Sequence, residues 1–174
     1  VIPMVNTPEQ AEALVQAVSY PPRGIRGIGT SMARAARWNQ APGYAQSANE
    51  EICLIVQAET TQALSNLDDI LAVDGVDGVF IGPSDLAASM GHLGNPGHPD
   101  VISAIDSTLQ RISAAGKYAG VFCMAAELAQ HYIDQGANFL AVGSDTMALS
   151  QGLRQVAASF RGKPLEEEKP KAGY

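Results

Sequence analysis

The sequence has few of the residues on which several classes of protein depend. Only two of its 174 residues are cysteine, Cys53 and Cys123, and each lies inside an apolar run. This usage argues against a disulfide framework or a cysteine-rich metal site and predicts two buried, reduced thiols. Aromatic residues make up only 6%, whereas 46% of the residues are hydrophobic. The composition is therefore that of a folded globular chain and not of a disordered one.

Positive charge and long apolar runs are also scarce. The chain has 11 Lys and Arg against 18 Asp and Glu, a formal charge of −7, which would repel a phosphate backbone. No apolar run approaches the roughly 18–20 residues that span a bilayer, and residues 1–20 lack a basic segment followed by an apolar core. We therefore expect no nucleic-acid partner, no membrane partner and a cytoplasmic location.

What the sequence does contain is a repeated alternation of short apolar runs and amphipathic segments. Each amphipathic segment has apolar residues at helical spacing, and the first is predicted as a helix from Pro8 to Ser19 with Thr7 as its N-cap. The apolar runs are typical of strands buried on both faces. They are residues 1–5, 52–58, 78–82, 118–123 and 138–143. The alternation predicts parallel βα units, with five strands and five helices.

Two α/β architectures use such units, an open doubly wound sheet and the (β/α)8 TIM barrel. A complete barrel takes about 250 residues, and the shortfall of about 76 residues corresponds to nearly three units of about 30 residues each. The chain also opens directly on the apolar run at Val1. We therefore predict an incomplete TIM barrel over residues 1–161, followed by a charged, mobile tail over residues 162–174.

The candidate chemistry lies just after the apolar runs, because active sites of parallel βα folds lie beyond the carboxyl ends of the strands. Glu59 and Asp85 occupy equivalent points of consecutive units, 26 residues apart, so both carboxylates should reach one rim. Such a pair either shares a proton or binds a hard divalent ion such as Mg²⁺ or Mn²⁺. Each could instead cap the following helix, and that interpretation is favoured for Asp145.

The remaining polar residues give weaker indications. The glycine-rich segment 24–31 lacks the Lys-Ser/Thr ending of a P-loop; it either brings Arg26 or Arg34 to an anionic group or forms a structural turn. Nearby aromatic residues, Tyr20, Trp38 and Tyr44, are expected to pack this segment against the fold. The histidines do not repeat at ligand spacing and are expected to be structural or exposed. They are His92, His98 and His131.

Lysine placement excludes one mechanism. A Schiff-base aldolase needs a desolvated lysine inside the barrel, yet three of the four lysines lie in the predicted tail. The fourth, Lys117, precedes its strand and so belongs to the opposite rim. Imine chemistry by this part of the chain is therefore not expected.

Six segments together closely resemble the metal-dependent class II pyruvate aldolases of the 4-hydroxy-2-oxoheptanedioate and 2-dehydro-3-deoxyglucarate aldolase family. The segments are YPPRGIRGIG (20–29), ARAARWN (33–39), QAET (57–60), GVDGVFIGPSDLAASMG (75–91), GNPGHP (94–99) and AVGSDT (141–146). The resemblance runs from Val1 to about Phe160 without an obvious gap. It implies a (β/α)8 barrel that begins here at about the fourth strand.

The resemblance also implies a set of site residues. Glu59 and Asp85 would be the protein ligands of a divalent metal, Mg²⁺, Mn²⁺ or Co²⁺, and the amides of Ser84 and Asp85 would receive the substrate carboxylate. The other implied substrate-binding residues are Gln57, Gly82, Pro83 and Phe122. The family's catalytic His and Arg would lie upstream of Val1, so no residue present is assigned either role.

The implied activity is that of a lyase. It would cleave a 4-hydroxy-2-oxo acid reversibly to pyruvate and an aldehyde, through a pyruvate enolate whose charge the metal stabilises, in a pathway such as aromatic compound catabolism. The alternatives are a CoA-ester lyase of the citramalyl or malyl type and a non-catalytic fragment. The intact protein is expected to be a hexamer, a trimer of dimers that exchange the last helix. The chain alone is expected to be inactive, and poorly soluble or oligomeric.

Overall fold

The computed structural model describes residues 1–161, and the predicted charged tail, residues 162–174, lies outside the described residues. Within them, one sheet of four parallel strands has the order β1-β2-β3-β4. The strands are β1 Ile55–Ala58, β2 Gly78–Ile81, β3 Tyr118–Phe122 and β4 Phe139–Ala141. Sequence neighbours pair in space and all run the same way, which confirms the predicted α/β class with parallel βα units.

The helices connect the strands and cover the sheet. In residues 1–161 they are α1 Pro8–Val18, α2 Tyr44–Glu51, α3 Thr61–Ser65, α4 Leu67–Leu71, α5 Pro83–Ser89, α6 Pro99–Ala114, α7 Ala126–Asp134 and α8 Asp145–Arg161. A 3-10 turn, Arg34–Ala36, lies between α1 and α2. The pattern of apolar spacing thus located the long helices, including α6, to within a few residues.

The start of α1 follows the prediction closely. Thr7 is the N-cap: its hydroxyl accepts a hydrogen bond from the Gln10 amide at 3.3 Å, and the Gln10 side chain accepts one from the Thr7 amide at 3.3 Å. Pro8 occupies the first helical turn, where its missing N–H costs nothing. This capping box fixes where the chain turns from the sheet edge into the helix.

The prediction of a fifth strand over residues 1–5 is wrong in its extent. Ile2 forms an isolated parallel bridge to Val56, and the Val5 amide donates to the Gln57 carbonyl of β1 at 3.0 Å. Between them the backbone enters the left-handed region at Met4, with φ of 58°. A residue in that conformation cannot continue an extended strand. The segment nevertheless runs beside β1, where the first unit was expected.

Two helix predictions also need correction. The single helix expected after β1 is broken at Asn66, whose side-chain amide donates to the Asn6 carbonyl at 2.7 Å. Helix α2 was not predicted, because its sequence YAQSANEE has few apolar residues to mark a buried face. These two regions differ from the prediction because their secondary structure depends on tertiary hydrogen bonds and helix propensity and not on apolar periodicity.

The core lies between the sheet and the helices. On the sheet, Val79, Ile81 and Val121 are fully buried, and α6 packs on them through residues that are buried along its whole length. The α6 residues are Val101, Ile105, Leu109 and Ile112. The buried thiol predicted at Cys123 is confirmed, but Cys53 is exposed because it lies two residues before β1 begins.

The far edge of the sheet is open in the described residues. Strand β4 pairs with β3 on one side only, and none of the residues of α8 is buried. Four apolar side chains of α8 are exposed, from 58% for Val156 to 89% for Phe160; the other two are Leu149 and Leu153. Among the helices of residues 1–161, none is long and apolar enough to cross a bilayer.

Candidate active site

Glu59 and Asp85 come together at the carboxyl ends of β1 and β2. The two strands pair in register at Ala58 and Ile81, so Glu59 and Gly82 are the next residues along two adjacent strands. Asp85 follows in the first turn of α5. The structure therefore brings these two residues to one rim, as the 26-residue spacing predicted.

The Glu59 side chain is buried and hydrogen-bonded at both oxygens. The residue is only 4% exposed; the Met4 amide donates to Oε2 at 3.0 Å and the Gln57 side-chain amide donates to Oε1 at 2.9 Å. Each carboxylate oxygen has two lone pairs. One donor on each oxygen fixes the plane of the carboxylate and leaves further lone pairs for another ligand.

The electrostatic environment makes ionised Glu59 costly. Burial raises the pKa of the Glu59 carboxyl above its usual value, the Met4 amide acts against this by hydrogen-bonding to the charged form, and the negative charge of Asp85 raises the pKa further. No Lys or Arg side chain within residues 1–161 forms an ion pair with Glu59 or Asp85. The pair is therefore a negatively charged site without a cation from the described chain.

Gly82 is required next to this carboxylate. A Cβ atom at this position would overlap Oε1 of Glu59 and lie 3.0 Å from its carboxyl carbon. The absence of a side chain lets α5 start directly beside Glu59. Gly82 was expected to bind substrate, and the structure gives it a packing role against Glu59.

The other implied substrate-binding residues surround the same rim. Pro83 is buried at the start of α5, and Ser84 follows it. The first hydrogen bond of this helix joins the Leu86 amide to the Gly82 carbonyl, so the Ser84 and Asp85 amides precede it and have no intrahelical acceptor. Phe122 ends β3 and is half-buried. Gln57 contacts Glu59 itself.

The helix-capping alternative does not describe either acid. Helix α3 is capped by Thr60, whose hydroxyl accepts from the Ala63 amide at 3.1 Å, and α5 has no side-chain cap. The expectation that Asp145 caps the last helix is correct only in part: Asp145 Oδ1 accepts from the Thr146 amide at 2.7 Å, but Asp145 is inside the first turn and Ser144 precedes it, accepting from the Met147 amide at 3.2 Å.

The donor set fits a hard divalent cation. Two carboxylates without a positive partner in the described chain, buried Glu59 and exposed Asp85, lie at one rim and offer oxygen ligands only. Mg²⁺ and Mn²⁺ prefer such ligands and keep positions for water and substrate. Glu59 and Asp85 are the residues that would hold the ion.

His92, His98 and Asp100 form a second group with ligating atoms, and sequence reasoning missed it. The ligating atoms of His92, His98 and Asp100 all lie within 4.8 Å of one another, and the spacing His-x5-His-x-Asp was the signal available for it. The imidazole rings stack at 3.6 Å with 15° between their planes, and His92 Nε2 and His98 Nδ1 each lie 3.6 Å from Asp100 Oδ2. His98 Nδ1 also accepts the Asp100 amide at 3.2 Å as the N-cap of α6.

The remaining candidates have structural partners. His131 pairs with Asp106 at 2.9 Å between α7 and α6. The Arg26 guanidinium lies 4.5 Å from the Tyr20 ring centroid and donates to the Tyr44 hydroxyl at 2.8 Å. Tyr44 thus pairs with Nη2 of Arg26, whereas the buried Nη1 has no hydrogen-bond partner among the described residues, so both interpretations of the glycine-rich segment stay predictions.

The expectation that Trp38 packs that segment against the fold is wrong. The Trp38 side chain is 58% exposed, in a stretch of three consecutive residues with left-handed backbone, Arg37, Trp38 and Asn39. This backbone directs the indole away from the core, whereas Tyr20 is buried as expected.

Known proteins share this sequence and fold. Residues 1–152 match the protein family described as HpcH/HpaI aldolase/citrate lyase. A hydroxypyruvate/pyruvate aldolase of Deinococcus radiodurans is 58% identical over 169 residues, which cover 97% of this chain and 61% of that protein. A 4-hydroxy-2-oxo-heptane-1,7-dioate aldolase of Klebsiella pneumoniae is 52% identical over 159 residues, covering 91% of this chain and 60% of that protein.

A solved structure agrees with these relatives. The HpcH/HpaI aldolase/citrate lyase family protein of Burkholderia cenocepacia superposes with a TM-score of 0.81 at 35% identity, covering 92% of this chain and 64% of that one. The chain thus spans about three fifths of the length of the curated relatives it matches. By sequence and by fold, the chain belongs to the HpcH/HpaI aldolase/citrate lyase family.

Proposed function

We propose that this chain carries the metal-binding part of a class II aldolase. The enzyme cleaves 4-hydroxy-2-oxo acids reversibly to pyruvate and an aldehyde. The observation that supports this most strongly is the buried Glu59 carboxylate, with Asp85 at the same rim, where two parallel strands end. A divalent cation held there would stabilise the negative charge that develops on the 2-oxo oxygen of the substrate.

The chain's own groups have separate tasks in this scheme. Glu59 and Asp85 provide oxygen ligands, and Gln57 keeps Glu59 in one orientation through its hydrogen bond at 2.9 Å. The amides of Ser84 and Asp85, at the start of α5, hold the substrate carboxylate, because the first amides of a helix have no intrahelical acceptor and favour an anion. Holding the 2-oxo acid at both its 2-oxo oxygen and its carboxylate would fix the position of the carbon that reacts.

Relatives support the aldolase assignment over a non-catalytic role. Two of the curated relatives are named aldolases, and the pair of acids lies in the portion of the chain that aligns with them. In the intact enzyme, the proton-transfer groups would come from the part of the relatives that this chain does not cover. We therefore assign substrate and metal binding, and not proton transfer, to residues 1–161.

The test is an assay of pyruvate release in the intact enzyme. With Mg²⁺, Mn²⁺ or Co²⁺, 4-hydroxy-2-oxo acids should yield pyruvate, and a chelator should stop the reaction. Glu59→Gln, which removes a charge and preserves shape, should abolish turnover, whereas the exposed substitution Gln155→Glu should leave it unchanged. Metal-independent pyruvate release, or cleavage of citramalyl-CoA or malyl-CoA without cleavage of the free acids, would overturn the proposal.

A further inference from the structure

The segment that precedes α1 carries a one-residue bulge where it runs beside β1. The Ile2 amide donates to the Ile55 carbonyl at 2.9 Å, and the Gln57 amide donates to the Ile2 carbonyl at 2.8 Å. A regular parallel ladder would next join the Met4 amide to the Gln57 carbonyl. Instead the Val5 amide makes that bond, at 3.0 Å. One extra residue is therefore inserted, which is the definition of a β-bulge.

The amide released from the ladder is directed at Glu59. The Met4 N–H donates to Glu59 Oε2 at 3.0 Å, from a residue 55 positions away in sequence. To do so Met4 adopts φ of 58°, a left-handed conformation that side-chain-bearing residues seldom adopt. The Met4 side chain is 48% exposed, so it is the backbone of this residue that contacts the site.

The residues on either side of the bulge are held in place. Val5 is buried in the core, and the Asn6 carbonyl accepts from the Asn66 side chain at 2.7 Å. The Asn6 amide donates to the Gln10 side chain at 2.7 Å. With Ile2 paired to β1 on the other side, the intervening backbone has little freedom. Strained conformations persist where the surroundings determine them in this way, and they concentrate at functional sites.

We propose that Met4 is a positioning residue: the bulge takes its amide out of the ladder and places it on Glu59 Oε2, so that the carboxylate is held with its remaining lone pairs open to a divalent cation. This inference rests on the proposed function. In a purely structural role, by contrast, the hydrogen bond would only satisfy a buried polar group. Its loss would then affect stability but not cation affinity.

Deletion of Met4 separates the two roles. Without this residue Val5 occupies the regular ladder position and keeps its bond to Gln57, so the fold is retained while Glu59 loses its backbone donor. The dissociation constant for Mn²⁺, measured on the full chain by electron paramagnetic resonance at fixed pH, should rise about 10–100-fold, the usual effect of losing a group that orients a metal ligand. The thermal midpoint without metal should fall with either role, because a buried carboxylate loses one of its donors, so the Mn²⁺ dissociation constant is the readout that separates the two roles.

Met4→Gly is the matched control, because it keeps the N–H and accepts the left-handed backbone at no steric cost. Its Mn²⁺ dissociation constant should equal that of the wild type. If the deletion variant does not unfold cooperatively, an ester in place of the Pro3–Met4 amide removes only the N–H and should weaken Mn²⁺ binding to the same degree.

Three outcomes would overturn the inference. A folded deletion variant, or the ester variant, that binds Mn²⁺ as tightly as the wild type would leave Met4 with a structural role only. A Met4→Gly variant that binds as weakly as the deletion would show that the side chain, and not the amide, matters. A wild-type chain that binds no Mn²⁺ would overturn the proposed function as well.

Discussion

At the scale of single residues, the proposed function depends on a carboxylate that is costly to bury. Glu59 is 4% exposed and has two hydrogen-bond donors, yet Asp85 adds a second negative charge and no cationic side chain of residues 1–161 pairs with either acid. Buried charges are ordinarily paired or bound to metals. Keeping such a group lowers the stability of the fold, which is a common cost of a binding site.

The free-energy cost of burying ionised Glu59 depends on pH. Because burial and then Asp85 raise the pKa of Glu59 in the folded chain, ionised Glu59 destabilises the fold at pH 7, and the cost is lost as the pH falls through the raised pKa. In the absence of metal, Glu59→Gln should therefore have a higher urea midpoint than the wild type at pH 7. The difference should shrink as the pH is lowered toward the raised pKa of Glu59; a difference that does not change with pH would contradict the raised pKa.

Gly82 offers a second test at this scale. In Gly82→Ala the new Cβ would overlap Glu59 Oε1, so the carboxylate must rotate away from both donors. We expect Mn²⁺ affinity to fall about 10–100-fold, as when other orienting contacts are lost. Titration of Mn²⁺ measures this, with Gly27→Ala as the control, because a Cβ at Gly27 has no atom within 4 Å. Equal affinities in the two variants would show that Gly82 has no such role.

The position of single side chains was only partly predictable. The rim location of Glu59 and Asp85 follows from strand order alone, because consecutive parallel strands end at the same edge. Whether each acid capped a helix was not decidable from spacing; the structure shows that Thr60 and Ser144 have that role at α3 and α8. The exposure of Cys53 depends on where β1 starts, which an apolar run does not fix to within two residues.

At the scale of elements, predictions succeeded where burial is periodic. Helix α6 has buried residues along one face, and the apolar spacing located it. The break at Asn66 and the bulge at Met4 depend on contacts between residues 55–60 positions apart. Such contacts leave no local pattern in the sequence.

Helix α8 is the element whose surface most requires a partner. None of its residues is buried, although Leu149, Leu153, Val156 and Phe160 are apolar. We expect this helix to pack against a second copy of the chain, because an exposed apolar stripe of this length is typical of an interface. Leu153→Glu should reduce the oligomeric state, measured by light scattering after size-exclusion chromatography.

The control for this prediction is Gln155→Glu, which introduces an acidic residue into the same helix but away from the apolar stripe. It should leave the oligomeric state unchanged. A monomeric wild-type chain, or a Leu153→Glu variant that assembles like the wild type, would show that α8 is not the interface.

At the scale of the whole molecule, the open edge of the sheet bears on solubility and association. Within residues 1–161, strand β4 has a neighbour on one side only, and the chain covers 61% of its Deinococcus relative. Unpaired strand edges and exposed apolar surface promote association. We expect the chain alone to be poorly soluble or oligomeric and to lack aldolase activity.

A chimera tests this expectation. Joining the chain to the part of the Deinococcus relative that it does not cover should restore solubility and metal-dependent pyruvate release, because 58% identity over the shared part preserves the contacts between them. The same chimera with Asp85→Asn should be soluble and inactive. Ordinary aldolase activity in the 174-residue chain alone would contradict the prediction.

The central claim is that Glu59 and Asp85 bind one divalent cation together. The most direct measurement is a Mn²⁺ titration of the full chain by electron paramagnetic resonance, compared with Glu59→Gln, Asp85→Asn and the double variant. We predict one Mn²⁺ site per chain that either single substitution removes, with no further loss in the double variant, because both carboxylates belong to one site. Mn²⁺ binding that survives both substitutions, or no binding by the wild type, would contradict the claim.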